Sequence, residues 1–298
     1  MRVAAVLLTT GERDDQLVAA LDSIRAQRDV DAHLLVVLNR EPDGRTVPAD
    51  DADRWRARLG TDVEVLRPGR NLGIPAGRNL GFAAVRDRAD VVLFLDDDAR
   101  LAGDGVLAAA VEALRGDPDL AVVSMRLVDP VSGLTERRHV PRVRVGDPSR
   151  SSWVTSFLGG ASVIRVEAFD RAGGYPDDFV YALEETSLAW RMIDHGYRLR
   201  YRGDLQVLHP AAPASRHAEF HRRTSRNRVL VAHLHLPFVL AVGYLKVWTA
   251  ISLVRAPRAW REIFGGVADG LKLRHLPRQP ISWRTVWRMT RLGRPPII

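Results

Sequence analysis

Short apolar runs recur along the first part of the chain and alternate with polar, helix-forming stretches. Val3 to Leu8, Leu34 to Leu38 and Val63 to Leu66 are too short for helices and rich in branched side chains, as buried strands are. Between the first two runs, apolar residues follow helical spacing at Leu17, Val18, Leu21 and Ile24. This order predicts an α/β fold with a mostly parallel central sheet, flanked by helices and joined by right-handed crossovers.

The same alternation continues to about residue 209. Val91 to Leu95 is another buried strand, whereas Val128 to Ser152, rich in Pro, Arg and Gly, predicts an irregular loop. The other predicted elements are helices at about 50–59, 76–85, 104–114, 167–172 and 184–195, and strands at 120–125, 161–165, 197–201 and 206–209. The pattern therefore predicts one α/β domain over residues 1–230.

The last quarter of the chain has a different pattern. Leu234 to Val254 is 21 residues of mainly apolar sequence, long enough to span a bilayer, but Pro237 and Lys246 interrupt it. Further on, two tryptophan-containing stretches follow helical spacing with arginines beside them. We expect residues 231–298 to form an amphipathic helical region that lies on a membrane surface, or else packs on the protein or in a homodimer contact.

Positive charge is concentrated in the same region. The chain has 44 Lys and Arg against 36 Asp and Glu, a net charge of +8. From Arg226 onwards there are 13 basic and 2 acidic residues, a balance of +11, which leaves −3 for the rest. A basic region with tryptophans favours an anionic surface, either membrane or nucleic acid. The absence of cysteine excludes disulfides, Cys-based zinc sites and thiol nucleophiles.

Three consecutive carboxylates follow the strand Val91 to Leu95. Asp96, Asp97 and Asp98 fall where that strand ends, and ligands of open α/β sheets bind at the carboxyl ends of strands. Adjacent carboxylates repel one another, so they need compensating cations. A divalent metal held by carboxylates and substrate phosphates would compensate them, and a solvated acidic turn is the alternative.

A glycine- and proline-containing loop opens the helix before this strand. It runs from Asn71 to Gly81 and includes Gly73, Pro75 and Arg78. A loop that leads into a helix N-terminus and carries an arginine is suited to face a diphosphate. A plain Gly/Pro connection is the alternative.

Taken in order, these segments resemble the family 2 glycosyltransferases with the GT-A fold, over about residues 3–230. The matching segments are Thr9-Thr10, Val36 to Asn39, Asn71-Leu72-Gly73, Gly77-Arg78-Asn79, Asp96-Asp97-Asp98, Gly159-Gly160-Ala161, Gly173-Gly174-Tyr175, Glu184 to Arg191 and Arg226-Asn227-Arg228. Each is weakly specific alone, and their order makes the match specific. The resemblance implies an inverting enzyme with a nucleotide-diphospho-sugar donor, similar to rhamnosyl- and galactofuranosyl-type bacterial members.

The resemblance assigns a donor site to the sheet edge. It implies that Asp98 binds a divalent cation, Mn²⁺ or Mg²⁺, together with His209 and with a contribution from Asp96. Asp96 is also assigned to the nucleoside, and Asp97 is expected to point elsewhere and to be structural. The other residues assigned to the nucleotide sugar are Thr9, Asn39, Asn71, Gly73 and Arg78.

The resemblance also assigns a base and an acceptor side. The family's Glu-Asp pair, followed by x-Asp-Leu-x-x-Arg, corresponds to Glu184 through Arg191. Glu185 is implied to be the general base that deprotonates the acceptor hydroxyl, with Glu184 as the second candidate. An acid pair that stabilises a helix start is the structural alternative. The residues assigned to the acceptor are Gly159, Gly160 and Trp153.

Two positions depart from the family pattern. Leu38 stands where the family commonly has an Asp that contacts the base, and a Leu side chain cannot accept a hydrogen bond. The base would then be recognised by backbone groups, Thr9 or Glu41, which leaves UDP, dTDP and GDP sugars open. Ser187 stands where an Asp is expected, which removes a carboxylate that could orient the site.

The leading functional expectation is metal-dependent transfer to a lipid-linked or polysaccharide acceptor in cell-envelope glycan synthesis. The protein would then be cytoplasmic and peripheral on the inner face of the cell membrane. The alternatives are a soluble glycosyltransferase that decorates a small metabolite or a peptide, and a catalytically inactive GT-A scaffold. No nucleic-acid partner is expected, because the basic region has no recognised nucleic-acid motif and such a partner would not explain the acidic sites.

Overall fold

One mixed sheet organises the residues that the computed structural model describes, which are 1–40, 50–211 and 219–297. The predicted base contact Glu41 lies outside these ranges. The strands are β1 (Val3–Thr9), β2 (Ala32–Leu38), β3 (Val63–Leu66), β4 (Val91–Asp96), β5 (Arg100–Leu101), β6 (Leu120–Val128), β7 (Ser152–Val154), β8 (Ala161–Arg165) and β9 (Arg198–Leu208).

The sheet has a parallel half and a mixed half. Its strand order is β3-β2-β1-β4-β8-β6-β9-β5, with β7 paired to β9. The first four strands are parallel, whereas β8 is antiparallel to both β4 and β6. Because β1, β2 and β4 are parallel neighbours, their carboxyl ends meet at one edge, where Leu8 pairs with Asp96. The acid triplet therefore begins at this shared edge, as its position after a buried strand predicts.

Helices cover both faces of the sheet, which confirms the predicted α/β class. Successive strand side chains point to opposite faces, so Leu7 of β1 joins the core on one face and Val6 joins the core on the other. The helices are α1 (Asp14–Arg25), α2 (Asp50–Leu59), α3 (Ile74–Val85), α4 (Val106–Arg115), α5 (Val166–Arg171), α6 (Glu184–Asp194), α7 (Phe220–His235), α8 (Phe238–Arg255), α9 (Trp260–Lys272) and α10 (Trp283–Arg291).

Two glycines allow α3 to pack closely on β1. A Cβ atom at Gly77 would lie 2.6 Å from Leu8 Cδ1, and one at Gly81 would lie 2.4 Å from Val6 Cγ1. Any side chain at these positions would push the helix away from the strand. This close contact holds the N-terminus of α3, with its loop, at the carboxyl edge of the sheet.

Two predicted segments differ from the structure. The short strands predicted at 197–201 and 206–209 are one strand, β9, whose register against β6 shifts between Arg202 and Gln206. The prediction of two strands is wrong because residues 202–206 bulge without ending the ladder.

The apolar run from Leu234 to Val254 is not one continuous helix. Pro237 disfavours helical backbone at Leu236, so α7 ends at His235 and α8 begins at Phe238. The predicted domain boundary between residues 230 and 231 falls inside α7.

The C-terminal helices leave large apolar side chains in contact with solvent. Within the described ranges, α8 is the one helix that is long and apolar enough to cross a bilayer by length and composition, and 11 % of that window is buried in the protein. The exposed large apolar side chains here are Phe238, Val239, Val242, Val254, Trp260, Phe264, Leu271, Trp283, Trp287 and Leu292.

Candidate functional site

Asp96 and Arg78 form the central ion pair at the sheet edge. Arg78 Nη2 lies 2.9 Å from Asp96 Oδ1, and Arg78 Nη1 lies 3.7 Å from Glu185 Oε1. Burial alone would lower the pKa of Arg78, but the charges of Asp96 and Glu185 outweigh it and raise the pKa. Arg78 thus stays positively charged between the acid triplet and the acid pair of α6.

The other two carboxylates of the triplet have different partners. Asp97 accepts a 2.6 Å hydrogen bond from Thr9 Oγ1, and Asp98 forms an ion pair with Arg13. Burial raises the pKa of Asp97, although the Thr9 hydrogen bond opposes it. Burial also acts to raise the pKa of Asp98, but the hydrogen bond from His209 and the nearby charges lower it below its usual range. Asp98 is therefore the more readily ionised of the two.

Arg13 is a site residue that the sequence did not single out. Its guanidinium contacts Asp97 at 3.4 Å in addition to its ion pair with Asp98. Arg13 is one of 44 Lys and Arg residues in the chain, so its residue type did not distinguish it. The pairing of β1 with β4 brings it to the triplet. Its position soon after a predicted strand end is the signal that could have identified it.

Asp96, Asp98 and His209 form a possible metal site. His209 Nε2 lies 3.3 Å from Asp98 Oδ1 and 4.0 Å from Asp96 Oδ2, and the three ligand atoms lie within 4.8 Å of one another. The backbone N–H of His209 donates to the carbonyl of Val128 at 3.0 Å, which fixes the end of β9 beside the triplet. The structure thus brings together the three residues that the resemblance assigns to the cation.

Glu184 and Glu185 begin α6 and differ in exposure. Glu185 keeps 23 % of its side chain exposed, whereas Glu184 is 3 % exposed and its Oε2 has no hydrogen-bond partner among the described residues. Burial raises the pKa of Glu184 to about 8, and the charge of Glu185 adds to the rise. Burial also raises the pKa of Glu185, and the charge of Arg78 opposes it. Glu185 therefore combines solvent access with a charged partner.

The backbone before the acid pair is in an unfavourable conformation. Positive φ angles occur at three non-glycine residues: Val180 (53°), Ala182 (70°) and Leu183 (68°). The buried Asn227 side chain stabilises them, because its nitrogen donates to the carbonyl oxygens of residues 179, 181 and 182 at 2.8, 2.7 and 2.8 Å. Strained residues of this kind concentrate at functional sites. Asn227 of α7 thus orients the start of α6.

Gly159 and Gly160 are required by close approach of the acidic side chains. A Cβ at Gly159 would lie 2.5 Å from Glu185 Oε1 and 2.3 Å from Arg78 Nη1, and a Cβ at Gly160 would lie 2.0 Å from the Asp96 carboxyl carbon. The structure therefore places Gly159 against the Glu185 carboxylate and Gly160 against the Asp96 carboxylate.

Asn39 and Asn71 hold the loop before α3. Asn39 Nδ2 donates to Gly73 O at 3.0 Å, and Asn39 Oδ1 accepts from Leu72 N at 2.7 Å. Asn71 Oδ1 accepts from Gly73 N at 2.9 Å. Asn39, Asn71 and Gly73, which the resemblance assigns to the nucleotide sugar, therefore lie together. The side-chain amides of both asparagines are engaged in protein contacts.

Trp153 lies apart from the acidic groups. Its ring stacks against the guanidinium groups of Arg198 and Arg200, whose Cζ atoms lie 4.8 and 5.3 Å from the ring centroid. It lines a recess with Ile193, near the carboxyl end of α6, whereas the acid pair begins that helix. The structure brings the glycine pair, and not Trp153, to the carboxylates.

The rest of the acid-pair motif ties α6 to its neighbours. Ser187 Oγ lies 2.7 Å from His235 Nε2, and both side chains are buried. Ser187, one of the two positions that depart from the family pattern, therefore joins α6 to α7. Arg191 donates to the carbonyl oxygens of Ala172 and Gly174, which fixes the turn that leads into Tyr175.

Comparisons with known proteins identify the family of this chain. Residues 5–173 match the family described as Glycosyl transferase family 2. A pre-mycofactocin glycosyltransferase from Mycobacterium tuberculosis (strain CDC 1551 / Oshkosh) is 28 % identical over 228 residues, which cover 71 % of this chain and 46 % of that protein. The chain thus spans less than half the length of that curated relative.

Two solved structures share the fold. The mannosyltransferase PcManGT from Pyrobaculum calidifontis, in complex with GDP-Man and Mn²⁺, has a TM-score of 0.57 at 19 % identity, covering 98 % of this chain and 79 % of its own. GalNAc-T7 with UDP, GalNAc and Mn²⁺ has a TM-score of 0.63 at 14 % identity, covering 92 % of this chain and 56 % of its own. The expected GT-A fold is confirmed, and because the family match spans more than half of the 298 residues, the chain belongs to glycosyl transferase family 2.

Proposed function

We propose that this glycosyltransferase moves a sugar, with inversion, from a nucleotide-diphospho-sugar to a hydroxyl group of its acceptor. The observation that carries the proposal is the series of contacts from the Asp98–His209 pair, past Asp96 and Arg78, to Glu185. It places a possible cation site and an accessible carboxylate on two sides of one buried arginine. The neighbours' complexes with GDP-Man and with UDP support a nucleotide donor.

Asp98, His209 and Asp96 fit a divalent cation. Two carboxylate oxygens and an imidazole nitrogen within 4.8 Å of one another suit Mn²⁺ or Mg²⁺, and both neighbours' complexes contain Mn²⁺. When bound there, the cation would neutralise the charge of the diphosphate leaving group. Asp98 and His209 would hold the cation, and Asp96 would face it with one carboxylate oxygen while the other contacts Arg78.

Glu185 acts as the general base in this proposal. Its raised pKa makes it a stronger base than an exposed carboxylate, and the positive charge of Arg78 favours its ionised form. The acceptor O–H gives its proton to the Glu185 carboxylate, the acceptor oxygen attacks the anomeric carbon, and the nucleoside diphosphate leaves. Glu184, buried and with a pKa of about 8, is protonated at neutral pH and less suited to this task.

In this proposal the base is recognised by backbone groups or by Glu41. Thr9 Oγ1 already donates to Asp97 and accepts from the backbone N–H of Gly11 at 3.0 Å. Leu38 offers no polar side-chain atom, and the Asn39 amide holds the loop at Gly73. Backbone recognition does not by itself select among UDP, dTDP and GDP.

The acceptor in this proposal is lipid-linked or polysaccharide, met at the cytoplasmic face of the cell membrane in cell-envelope glycan synthesis. The exposed apolar side chains of α8 to α10 support it, because tryptophans beside arginines are typical of helices that lie on anionic membranes. Trp260 is 50 % and Trp287 is 64 % exposed. Rhamnosyl or galactofuranosyl transfer is the finer form of this proposal.

A small metabolite or a peptide is the second candidate acceptor. The curated relative named for pre-mycofactocin supports it. Membrane-free assays separate the two classes: a soluble acceptor is glycosylated at full rate without vesicles, whereas a lipid-linked acceptor requires them.

Thermal shifts with UDP, dTDP and GDP, each with and without Mn²⁺, test the donor. We expect one nucleotide to raise Tm only in the presence of the metal, corresponding to about 2.7 kcal/mol at a concentration 100 times Kd. If none of the nucleotides or their sugars changes Tm, the chain is an inactive scaffold and the proposal is wrong.

Donor hydrolysis tests the cation site. Asp98→Ala should abolish the metal-dependent release of sugar from the matching donor. Asp87→Ala, at a carboxylate that is 91 % exposed, is the matched control and should hydrolyse the donor at the wild-type rate.

A further inference from the structure

A cavity of about 60 Å³ lies beside the acid pair, between α6, α8 and the segment after α10. Two pairs of wall residues relate it to the site: Leu183 and Thr186 flank Glu184 and Glu185, and Thr155 and Ser156 lead towards the glycine pair. The remaining wall residues are Trp190, Arg228, Tyr244, Trp248, Met289, Arg294, Pro295 and Pro296. The cavity thus adjoins the start of α6, the helix that carries the proposed base, and contains no residue of the cation site.

The wall of the cavity contains two arginines, Arg228 and Arg294. Neither Arg228 nor Arg294 forms an ion pair with any side chain in the ranges that the structure describes. Burial lowers the pKa of both guanidinium groups. Both half-buried positive charges line one cavity and lack much of the water that would normally solvate them.

Donor groups in the same wall are also unpaired. Arg228 stacks on Trp248, with Cζ 4.3 Å from the ring centroid, and donates to Ser252 Oγ. Its Nε and the Trp248 Nε1 are buried without a hydrogen-bond partner in the described part of the chain. These enclosed N–H groups add to the cost of keeping the Arg228 charge in this wall without an anion beside it.

The dimensions and charge match a phosphate group. One water needs about 10–15 Å³ of cavity volume, so the cavity holds roughly four to six waters. That space is enough for a small oxyanion. A phosphate carries about −1.5 to −2 charge near neutral pH and accepts bidentate hydrogen bonds from arginine. Two guanidinium groups would balance the charge of a phosphate, whereas a carboxylate would balance the charge of only one guanidinium group.

We propose that this cavity binds a phosphate group of the acceptor and thereby holds the acceptor hydroxyl against Glu185. The proposal rests on the proposed function, since the acceptor is defined by it. Arg228 and Arg294 bind the oxyanion, and Trp190, Tyr244 and Trp248 enclose the apolar part of the acceptor next to it. The phosphate is not transferred or cleaved; it anchors the acceptor.

Titration of the 298-residue chain with inorganic phosphate in EDTA, followed by calorimetry at constant ionic strength, tests the cavity. We expect one saturable site whose Kd rises at least ten-fold in Arg294→Gln. Arg294→Lys, which keeps the charge, should recover part of the binding, so loss of folding is separated from loss of the site. Arg291→Gln, at an exposed arginine of α10, is the matched control and should bind as wild type. Equal binding by Arg294→Gln and wild type, or no saturable binding by wild type, overturns the proposal.

The source of the phosphate is decided by a second series on the same proteins. Geranyl phosphate and glucose 1-phosphate are compared with inorganic phosphate. Tighter binding of geranyl phosphate assigns the cavity to a lipid phosphate, and tighter binding of glucose 1-phosphate assigns it to a soluble sugar phosphate. Equal, arginine-independent binding of all three contradicts an acceptor site.

Failure of this inference is distinguishable from failure of the proposed function. The thermal shift with donor nucleotide and Mn²⁺ reports the donor site, whose residues the cavity does not include. A wild-type protein that binds the donor but shows no phosphate site retains the proposed function and loses only the cavity assignment.

Discussion

Asp96 and Gly160 approach each other so closely that no residue with a Cβ atom would fit at position 160. The Asp96 N–H donates to the Gly160 carbonyl at 3.1 Å, and a Cβ added to Gly160 would lie 2.0 Å from the Asp96 carboxyl carbon. The orientation of the first carboxylate of the triplet therefore depends on the absence of a side chain at Gly160, the residue just before β8.

Gly160→Ala should displace the Asp96 carboxylate and break its contact with Arg78. We expect donor hydrolysis to fall by about 100-fold or more, because small displacements of catalytic groups have effects of that size. Steady-state kinetics with saturating Mn²⁺ measure it. Gly105→Ala is the control, since nothing lies within 4 Å of a Cβ there and its φ of −112° suits alanine. Unchanged hydrolysis by Gly160→Ala would contradict the assigned geometry.

The three carboxylates of the triplet should respond unequally to amide substitution. Asp98→Asn should weaken Mn²⁺ binding by about 100-fold, because it removes a proposed ligand charge. Asp97→Asn should leave Mn²⁺ affinity within a few-fold of wild type and cost about 1 kcal/mol of stability through the Thr9 contact. Calorimetric Mn²⁺ titrations and urea unfolding distinguish the two effects. An equal loss of Mn²⁺ affinity in both variants would argue against the division of roles.

Asn227→Ala should reduce both stability and turnover. The substitution removes hydrogen bonds to three carbonyl oxygens of the strained segment before Glu184, at an expected cost of about 2 kcal/mol or more in unfolding free energy. Because Asn227 positions the base helix, kcat should fall by more than KM for the donor changes. Urea unfolding and kinetics on the same preparation measure both. Normal kcat in a destabilised protein would limit Asn227 to a purely structural role.

The buried Glu184 should make stability fall as pH rises. Its pKa is about 8 in the folded chain against an ordinary 4.5, so the folded state binds the proton more tightly. The stabilisation is therefore present below about pH 4.5 and is lost as pH rises towards 8, by at most about 1.4 kcal/mol per pH unit. Urea unfolding at several pH values should show this slope in wild type and a flatter one in Glu184→Gln. Glu112→Gln, at a side chain that is 66 % exposed, should keep the wild-type slope.

Removal of exposed tryptophans should weaken membrane attachment. Trp287 is 64 % and Trp283 is 55 % exposed on α10, beside the arginines of that helix. We expect Trp287→Ser to lower binding to phosphatidylglycerol vesicles several-fold, and added salt to weaken the binding further. Vesicle sedimentation measures it. Val131→Ser, at a side chain that is 94 % exposed elsewhere, should bind as wild type, and equal binding by all three proteins would exclude α10 as the contact.

Much of the fold follows from local patterns in the sequence. The buried strand Val91 to Asp96 and the helix that starts at Glu184 are determined by apolar spacing and by their polar ends, which act over a few residues. The parallel order of the strands, itself predicted from the sequence, then places Asp96 at a ligand-binding edge of the sheet. The acid triplet was identifiable on that basis, whereas the glycine pair and the acid pair were assigned by the resemblance to the family.

Only the tertiary structure decides how those groups divide their roles. Arg13 reaches Asp98 across 85 residues of sequence, and Asn227 supports the backbone before Glu184 from a helix 43 residues further on. Such contacts depend on which strands pair and which helices pack, and no local pattern encodes them. The cavity beside the base likewise forms only where α6, α8 and the C-terminal segment meet, because burial and the loss of water arise from packing between distant parts of the chain.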